Sequence, residues 1–372
     1  MLTLKRYFIL TLFIIIFTLF SSSLAFAEGI VEKPKIRADG AILIDAQSGM
    51  VLFNYNGYRS MHPASLTKIM TALLAIEKGN LNNQVVIGEG PPKIYIGSTI
   101  KLRKGEIISL GDLVKAALIV SANDSTVAIG EHIGGNQELF IQWMNQKAYT
   151  IGAYNTRFVN TNGYSKPNHR TTPYDLALIS RYAMANKNFE KLVNSKEDII
   201  YRISFTRGKK MLKEYPIRNT NKLLWHSKEI VGIKTGTTAR AGGCLIAAAK
   251  KNEHMLIAVS MHTSKRYQDS LSLLDYGFNN YKWHEKLKKK QIISSCKVKK
   301  GDIDQVKILA DKAIFSITSI NEKDNTRLKY IVPKVLKAPF SKGKVVGEAI
   351  LYKNNVVLDK VNLVTDKGAI KD

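Results

Sequence analysis

The hydrophobic residues of this chain change their spacing along its length, and the order of those changes restricts the fold. Residues 40–57, GAILIDAQSGMVLFNYNG, read as two strands joined by a Gln-Ser-Gly turn. From residue 62 onward the spacing turns helical. HPASLTKIMTALLAIEKG (62–79) is one helix, and GEIISLGDLVKAALIVSANDSTVAIGEHIGG (105–135) is two, broken near Ser121–Asp124. LFIQWMNQKAYTIG (139–152) is another, and TTPYDLALISRYAMAN (171–186) carries Pro173 where a first turn accepts it. Extended segments return with EIVGIKTGTT (229–238) and with GGCLIAAAKKNEHMLIAVSMH (242–262), a strand, a polar turn and a strand. YQDSLSLLDYGFNNYKWHEKL (267–287) reads as a closing helix. Strands on both sides of a helical middle predict an α+β fold, a mainly antiparallel sheet carrying helices.

Near Lys286–Lys290 the pattern changes again, to short alternating segments such as VKILA, AIFSIT and RLKYIVP. The last of them, VVGEAILYKNNVVLDKVNLV, is a hairpin around Lys353-Asn354-Asn355. The organisation expected is a leader over 1–27, a mixed domain over 28–284 and a small all-β domain over 285–372. A chain of 372 residues, 45% hydrophobic, has ample core for two domains.

The leader is an address and not part of the fold. Lys5 and Arg6 precede an apolar run from Phe8 to Phe20, then small residues and Ala25-Phe26-Ala27. That is the layout of a secretory signal peptide with an A-x-A cleavage site. The run is short against the roughly 20 apolar residues of a membrane span, and an uncleaved anchor is the alternative. The mature protein is expected outside the cytoplasm, in the cell-wall zone or on the outer face of the membrane. Its net charge of +26 then points to anionic lipid head groups or wall polymers rather than to nucleic acid, for which no motif is present. Two cysteines, Cys244 and Cys296, do not make a disulfide framework.

Ser65 stands three residues before Lys68 at the start of a helix whose apolar stripe is Leu66, Ile69, Met70, Leu73 and Leu74. Residues three apart are neighbours on a helix surface, so the lysine reaches the serine without a loop to position it. Free N–H groups at a helix N-terminus favour an oxyanion, and a lysine in a dry pocket loses basicity and can take a serine proton. The pair alone fits a nucleophile with its base, or a helix cap with a lysine reaching solvent. S-x-x-K also occurs at Ser98, Ser294 and Ser341, so context must decide.

Two later segments supply context. Ser121-Ala122-Asn123 sets a hydroxyl and an amide two apart between two helices. Lys234-Thr235-Gly236 is the only K-[ST]-G in the chain and falls on a strand. Alternation there sends Lys234 and Gly236 to one face, and a glycine leaves room for a substrate backbone to lie against the strand. S-x-N recurs at Ser319, so each piece alone is weak. The three in this order, on helix, loop and strand behind a leader, match the active-site serine motifs of β-lactamases and penicillin-binding proteins.

The chain resembles the low-molecular-mass penicillin-binding proteins that act as serine D-alanyl-D-alanine carboxypeptidases. The likeness covers the leader, the mixed domain and the β-rich domain, and includes PASLTKIMTALLAIE, SANDSTVAIGEHIGG, HRTTPYDLA and SLSLLDYGF. It implies Ser65 as the acylated nucleophile, Lys68 as its base, and Ser121 and Asn123 as proton shuttle and amide holder. It implies that Lys234 supplies a positive field, that Thr235, beside Gly236, bonds the substrate, and that the N–H groups of Ser65 and Thr237 form an oxyanion hole. Arg266 matches the family arginine that takes the terminal carboxylate. A carboxypeptidase needs such a cation, and the alternative is a surface arginine opening a helix.

The expected partners are the D-Ala-D-Ala terminus of a peptidoglycan stem peptide and β-lactam antibiotics as covalent inhibitors. No metal or organic cofactor is implied, and the seven histidines show no H-x-x-H or H-E-x-x-H spacing. Alternatives on the same fold are an endopeptidase, a transpeptidase, a β-lactamase, or a wall-binding protein without activity. A class A β-lactamase adds a water-activating glutamate. Between Glu138 and Glu190 there is none, and Asp175 lies inside a helix.

Overall fold

The structure, a computed structural model, describes residues 33–207 and 209–372. The leader expected over 1–27 lies outside the described residues. Residues 34–279 form one compact unit and 280–372 another.

In the first unit a five-stranded antiparallel sheet is built from β1 (Gly40–Asp45), β2 (Val51–Tyr55), β7 (Ile230–Thr238), β8 (Gly242–Lys251) and β9 (His254–Thr263). Its order is β2-β1-β9-β8-β7, which leaves β7 on an edge. Between β2 and β7 run the helices α1 (Lys68–Lys78), α2 (Leu110–Ile119), α3 (Asn123–Gly134), α4 (Gln137–Ile151), α5 (Pro173–Met184) and α6 (Lys187–Asn194). The same stretch holds a second antiparallel sheet of β3 (Gln84–Val86), β4 (Ile107–Ser109), β5 (Glu197–Thr206) and β6 (Lys209–Arg218). Helix α7 (Arg266–Asn280) follows β9.

The central strands are apolar on both faces because both faces are covered. Ile42 and Ile44 of β1 join the core beneath the helices, while a Cβ on Gly277 of α7 would meet Leu43 and Leu256 at 2.7 and 2.5 Å. Helix α1 passes through the middle of this core, and every residue from Lys68 to Ala75 is buried. Its apolar stripe predicts one core-facing side; burial all round is what encloses Lys68.

Two expectations are corrected. Ile107–Ser109 is a strand and not the start of α2, because it pairs with β3 and β5, and Ser109 then caps α2 by accepting from Asp112 N. The closing helix stops at Asn280. Tyr281–Leu287 is β10, paired antiparallel with β13 (Ile314–Ser319), so a partner distant in sequence decides an ambiguous aromatic segment.

The second unit is all β among the described residues. β10 (Tyr281–Leu287) pairs with β13 (Ile314–Ser319). β11 (Ile292–Lys299), β12 (Gln305–Ala310), β14 (Thr326–Ile331), β15 (Val335–Lys337), β16 (Val345–Lys353) and β17 (Val356–Thr365) form a sheet in the order β14-β16-β17-β12-β11-β15. The β16–β17 hairpin turns at Asn354 and Asn355, both with positive φ, as a tight two-residue turn requires. Leu287, Ile308, Leu351 and Leu363 make its core.

Candidate active site

Ser65 lies in a 3-10 turn, Ala64–Thr67, that leads into α1. No side chain caps either the turn or the helix, so Ser65 is not a cap. The residue before it, Ala64, has a φ of +49°, a left-handed conformation that costs an alanine energy unless its surroundings impose it. Three contacts impose it. Thr67 Oγ1 donates to Ala64 O (2.9 Å). Gly163 (φ +90°) presses so close that a Cβ there would stand 1.8 Å from the same oxygen. Gly236 of β7 lies on the other side, where a Cβ would come within 3.0 Å of Ser65 N. The glycine of Lys234-Thr235-Gly236 thus admits the nucleophile's own turn, and it also lines the cleft.

Lys68 does not reach solvent. It is fully buried, and its Nζ stands 2.9 Å from Ser65 Oγ, 2.7 Å from Asn123 Oδ1 and 2.7 Å from Asn162 O. Desolvation first, and then the charge of Lys234, hold its pKa well below the ordinary value of 10.5, with Asp124 opposing. Asn162 O can only accept. Asn123 presents its oxygen to Lys68 because its Nδ2 donates to Ile96 O (2.7 Å). A neutral amine has two hydrogens and one lone pair. With both hydrogens given to these two acceptors, the lone pair points at Ser65, which is the geometry a general base needs.

Ser121 and Asn123 occupy the break between α2 and α3. Ser121 has a φ of +64°, and Asn123 N donates to Ser98 O (2.7 Å). The neighbouring carboxylate of Asp124 is fully buried and accepts from Ile100 N and Leu102 N, which ties the 96–102 loop to the start of α3. Ser121, Asn123 and that loop line one cleft of about 420 Å³ with Ser65, Thr235 and Thr237.

The far wall of the cleft is the edge strand β7. Lys234 is fully buried and its pKa is lowered to about 7, by desolvation and then by the charge of Arg266. Thr235 Oγ1 pairs with Thr220 Oγ1 (2.8 Å). Arg266, first residue of α7, donates from Nη1 to Thr237 Oγ1 (2.7 Å) and Gly236 O (2.9 Å), and it lines the cleft. It is therefore no stray surface arginine. A cation at one end, a serine beside a buried amine of lowered pKa in the middle and an open strand edge between them suit an extended peptide ending in a carboxylate.

All the residues singled out in the sequence meet here. The three other S-x-x-K pairs do not lie on helical turns: Ser98 is in a loop, Ser294 on β11 and Ser341 in a loop. Sequence reasoning missed Asn162, Gly163 and Asp124. Asn-Gly is a turn signal and could have marked the first two, although Asn162 acts through its backbone oxygen.

A family model described as D-alanyl-D-alanine carboxypeptidase matches residues 27–265, and one described as the C-terminal domain of penicillin-binding protein 5 matches 281–369. The chain is 33% identical over 330 residues to the D-alanyl-D-alanine carboxypeptidase DacF of Bacillus subtilis, covering 86% of this chain and 83% of that protein. It is 31% identical to DacC of Escherichia coli, covering 93% and 88%. Penicillin-binding protein 5 of Haemophilus influenzae superposes with a TM-score of 0.67 at 28% identity, over 91% of this chain and 99% of that one.

Proposed function

This chain belongs to the D-alanyl-D-alanine carboxypeptidase family, and we propose that it removes the terminal D-alanine of peptidoglycan stem peptides through an ester on Ser65. The three-way seating of Lys68 carries the reading, because in its neutral form the two fixed acceptors take both hydrogens and leave the lone pair for the Ser65 hydroxyl. Ser65 Oγ attacks the carbonyl carbon of the penultimate residue and passes its proton to Lys68. The N–H groups of Ser65 and Thr237 hold the oxyanion, a role supported by the place of both residues in the lining of one cleft. The C–N bond breaks, the proton returns to the departing D-alanine by way of Ser121, and water then cleaves the ester. Asn123 and Thr235 bond the substrate amide, Lys234 supplies positive potential, and Arg266 grips the terminal carboxylate.

A β-lactam follows the first half of this course and stalls. Asp175, the one acid where a water-activating glutamate is sought, is buried on α5, with Oδ2 accepting from Asn155 N and Thr156 Oγ1 (2.8 Å each), and it does not line the cleft of Ser65. That supports slow release over β-lactamase action. The substrate lies outside the cytoplasm, which agrees with export by the leader, and the charge of +26 suits the anionic surfaces there.

The test is the mass of the protein and of its peptides after benzylpenicillin, with Ser65→Ala as control, followed by D-alanine release from a stem-peptide mimic. One penicilloyl group on the Ser65 peptide, absent from the variant, is expected. An intact protein in intact penicillin rejects the reading, and rapid penicillin destruction without adduct makes the protein a β-lactamase.

A further inference from the structure

The second sheet of the first unit leaves an apolar face in water. Its inward residues Val85, Ile108, Ile200 and Ile217 join the core. Side chains alternate along a strand and directly paired residues share a face, so the outward row can be read from the register. Val86 pairs with Ile107, Ile107 with Ile203, and Ile203 with Leu212, one apolar residue on each of the four strands. Val86 is 66% exposed and Leu212 61%. Phe205 (56%) and Tyr201 (41%) extend the face along β5. A contiguous exposed apolar face that crosses a whole sheet marks a contact surface, unlike scattered single residues.

Cations gather at the free end of this face. Arg207, Lys209 and Lys210 stand at the β5–β6 turn, Lys210 directly opposite Phe205. Lys101, Arg103 and Lys213 belong to the other side of the hairpin, where Lys213 pairs with the buried Arg202 and shares a depression with Glu106. Among the described residues none of the three at the turn lies within ion-pair distance of a carboxylate, whereas Lys104 pairs with Glu89 (2.6 Å). Glu214, opposite Tyr201, is an acid on the same face but further from the turn.

The partner must therefore offer an apolar phase and a density of negative charge together. A second copy of the chain offers the first, yet a two-fold contact led by this turn would set three unpaired cations against three more. A soluble anionic polymer offers the second but leaves Phe205 and Leu212 wet. A bilayer with anionic head groups offers both: aromatic and aliphatic side chains enter the acyl boundary while lysines and arginines stay among the phosphates. We propose that the outward face of the β3–β6 sheet, led by the β5–β6 turn, seats on the surface of a bilayer rich in anionic phospholipid. The contact lies on the catalytic unit itself and does not depend on the chemistry at Ser65.

The test uses the chain from Glu28 onward, since an apolar leader binds any vesicle, in co-sedimentation with phosphatidylglycerol/phosphatidylcholine or pure phosphatidylcholine vesicles. Phe205→Ser/Leu212→Ser removes the apolar residues, and Arg207→Glu/Lys209→Glu/Lys210→Glu reverses the charge. Unchanged thermal midpoints show that each variant folds. Binding to the anionic vesicles only, weakened at least tenfold by either set, is expected. A fluorophore on Leu212→Cys should shift to the blue on those vesicles; both native cysteines are buried and stay unlabelled. Binding that the serine variant retains in full, or that soluble polyglycerol phosphate abolishes without a blue shift, overturns the proposal in favour of an anionic polymer. A dimer that the serine variant dissociates, with no vesicle binding, overturns it in favour of self-association.

Discussion

His169 Nε2 stands 2.9 Å from Thr67 Oγ1, and that hydroxyl is the one that donates to Ala64 O beside the nucleophile. The other ring nitrogen, Nδ1, accepts from Val159 N at 3.0 Å, so the ring is neutral with its hydrogen on Nε2. The strained backbone before Ser65 is thus held through a histidine that must not carry a second proton.

Burial, and then the charge of His62, lower the pKa of His169 from 6.5 to about 4. Between those values the unfolded chain binds the proton and the folded chain does not, so stability falls as pH drops from 6.5 to 4 and the loss levels off below. Urea unfolding at pH 7 and pH 4 should show a His169-dependent loss of about 2–3 kcal/mol. His169→Gln should be less stable at pH 7 and flatter across this window. An identical pH slope in the variant would remove His169 from the account.

Gly163→Ala places a methyl group where Ala64 O already is, at a φ of +90°. It should cost about 3 kcal/mol or more and slow penicillin acylation at least 100-fold, since Ser65 moves with Ala64. Gly236→Ala meets Ser65 N at 3.0 Å and should be the milder of the two in unfolding experiments. Wild-type acylation in Gly163→Ala would show that the turn tolerates displacement.

Lys234 sits at about 7 in the folded protein against an ordinary 10.5. The unfolded chain holds the extra proton in between, so the folded state loses stability as pH falls from 10.5 to 7. Lys234→Met should therefore stabilise the protein by about 2–4 kcal/mol at pH 7, and the gain should shrink toward pH 10. D-alanine release should fall at least 100-fold. A variant both inactive and destabilised at pH 7 would contradict this.

Arg266→Gln should raise KM for the stem-peptide mimic more than it lowers kcat, because the arginine meets the carboxylate and not the scissile bond. It also takes away the charge that depresses Lys234. Any limb of the pH–rate profile due to Lys234 should move to higher pH. An unmoved profile with a raised KM would keep the carboxylate role and discard the electrostatic one.

The residues whose side chains do chemistry were legible in the sequence, because hydroxyl, amide and amine types at fixed spacing leave a pattern: Ser65 with Lys68, Ser121 with Asn123, and Lys234 on its strand. What acts through the backbone left little trace. Asn162 offers only a carbonyl, and Gly163 and Gly236 act by having no Cβ, so their meaning depends on which distant segment approaches. The strands β5 and β6 went unread for a related reason. With one face in water and one in the core, they mix apolar and basic residues without a clean alternation, and pairing with β4 fixes them. Tyr281–Leu287 failed as a helix because β13, more than twenty-five residues on, supplies the partner.

Burial first, and then the charge of Arg266, hold Lys234 at about 7, and the second of these acts only while the guanidinium has no counter-ion. A substrate carboxylate on Arg266 would cancel the repulsion and raise the proton affinity of Lys234, leaving the desolvation in place. Loading the cleft with a carboxylate would then be coupled to proton uptake. Binding heats measured near pH 7 should then depend on the ionisation enthalpy of the buffer. The full field at the reacting carbonyl would be assembled only around a ligand that brings a free C-terminus, so an internal peptide bond could occupy the same edge strand and meet a weaker site.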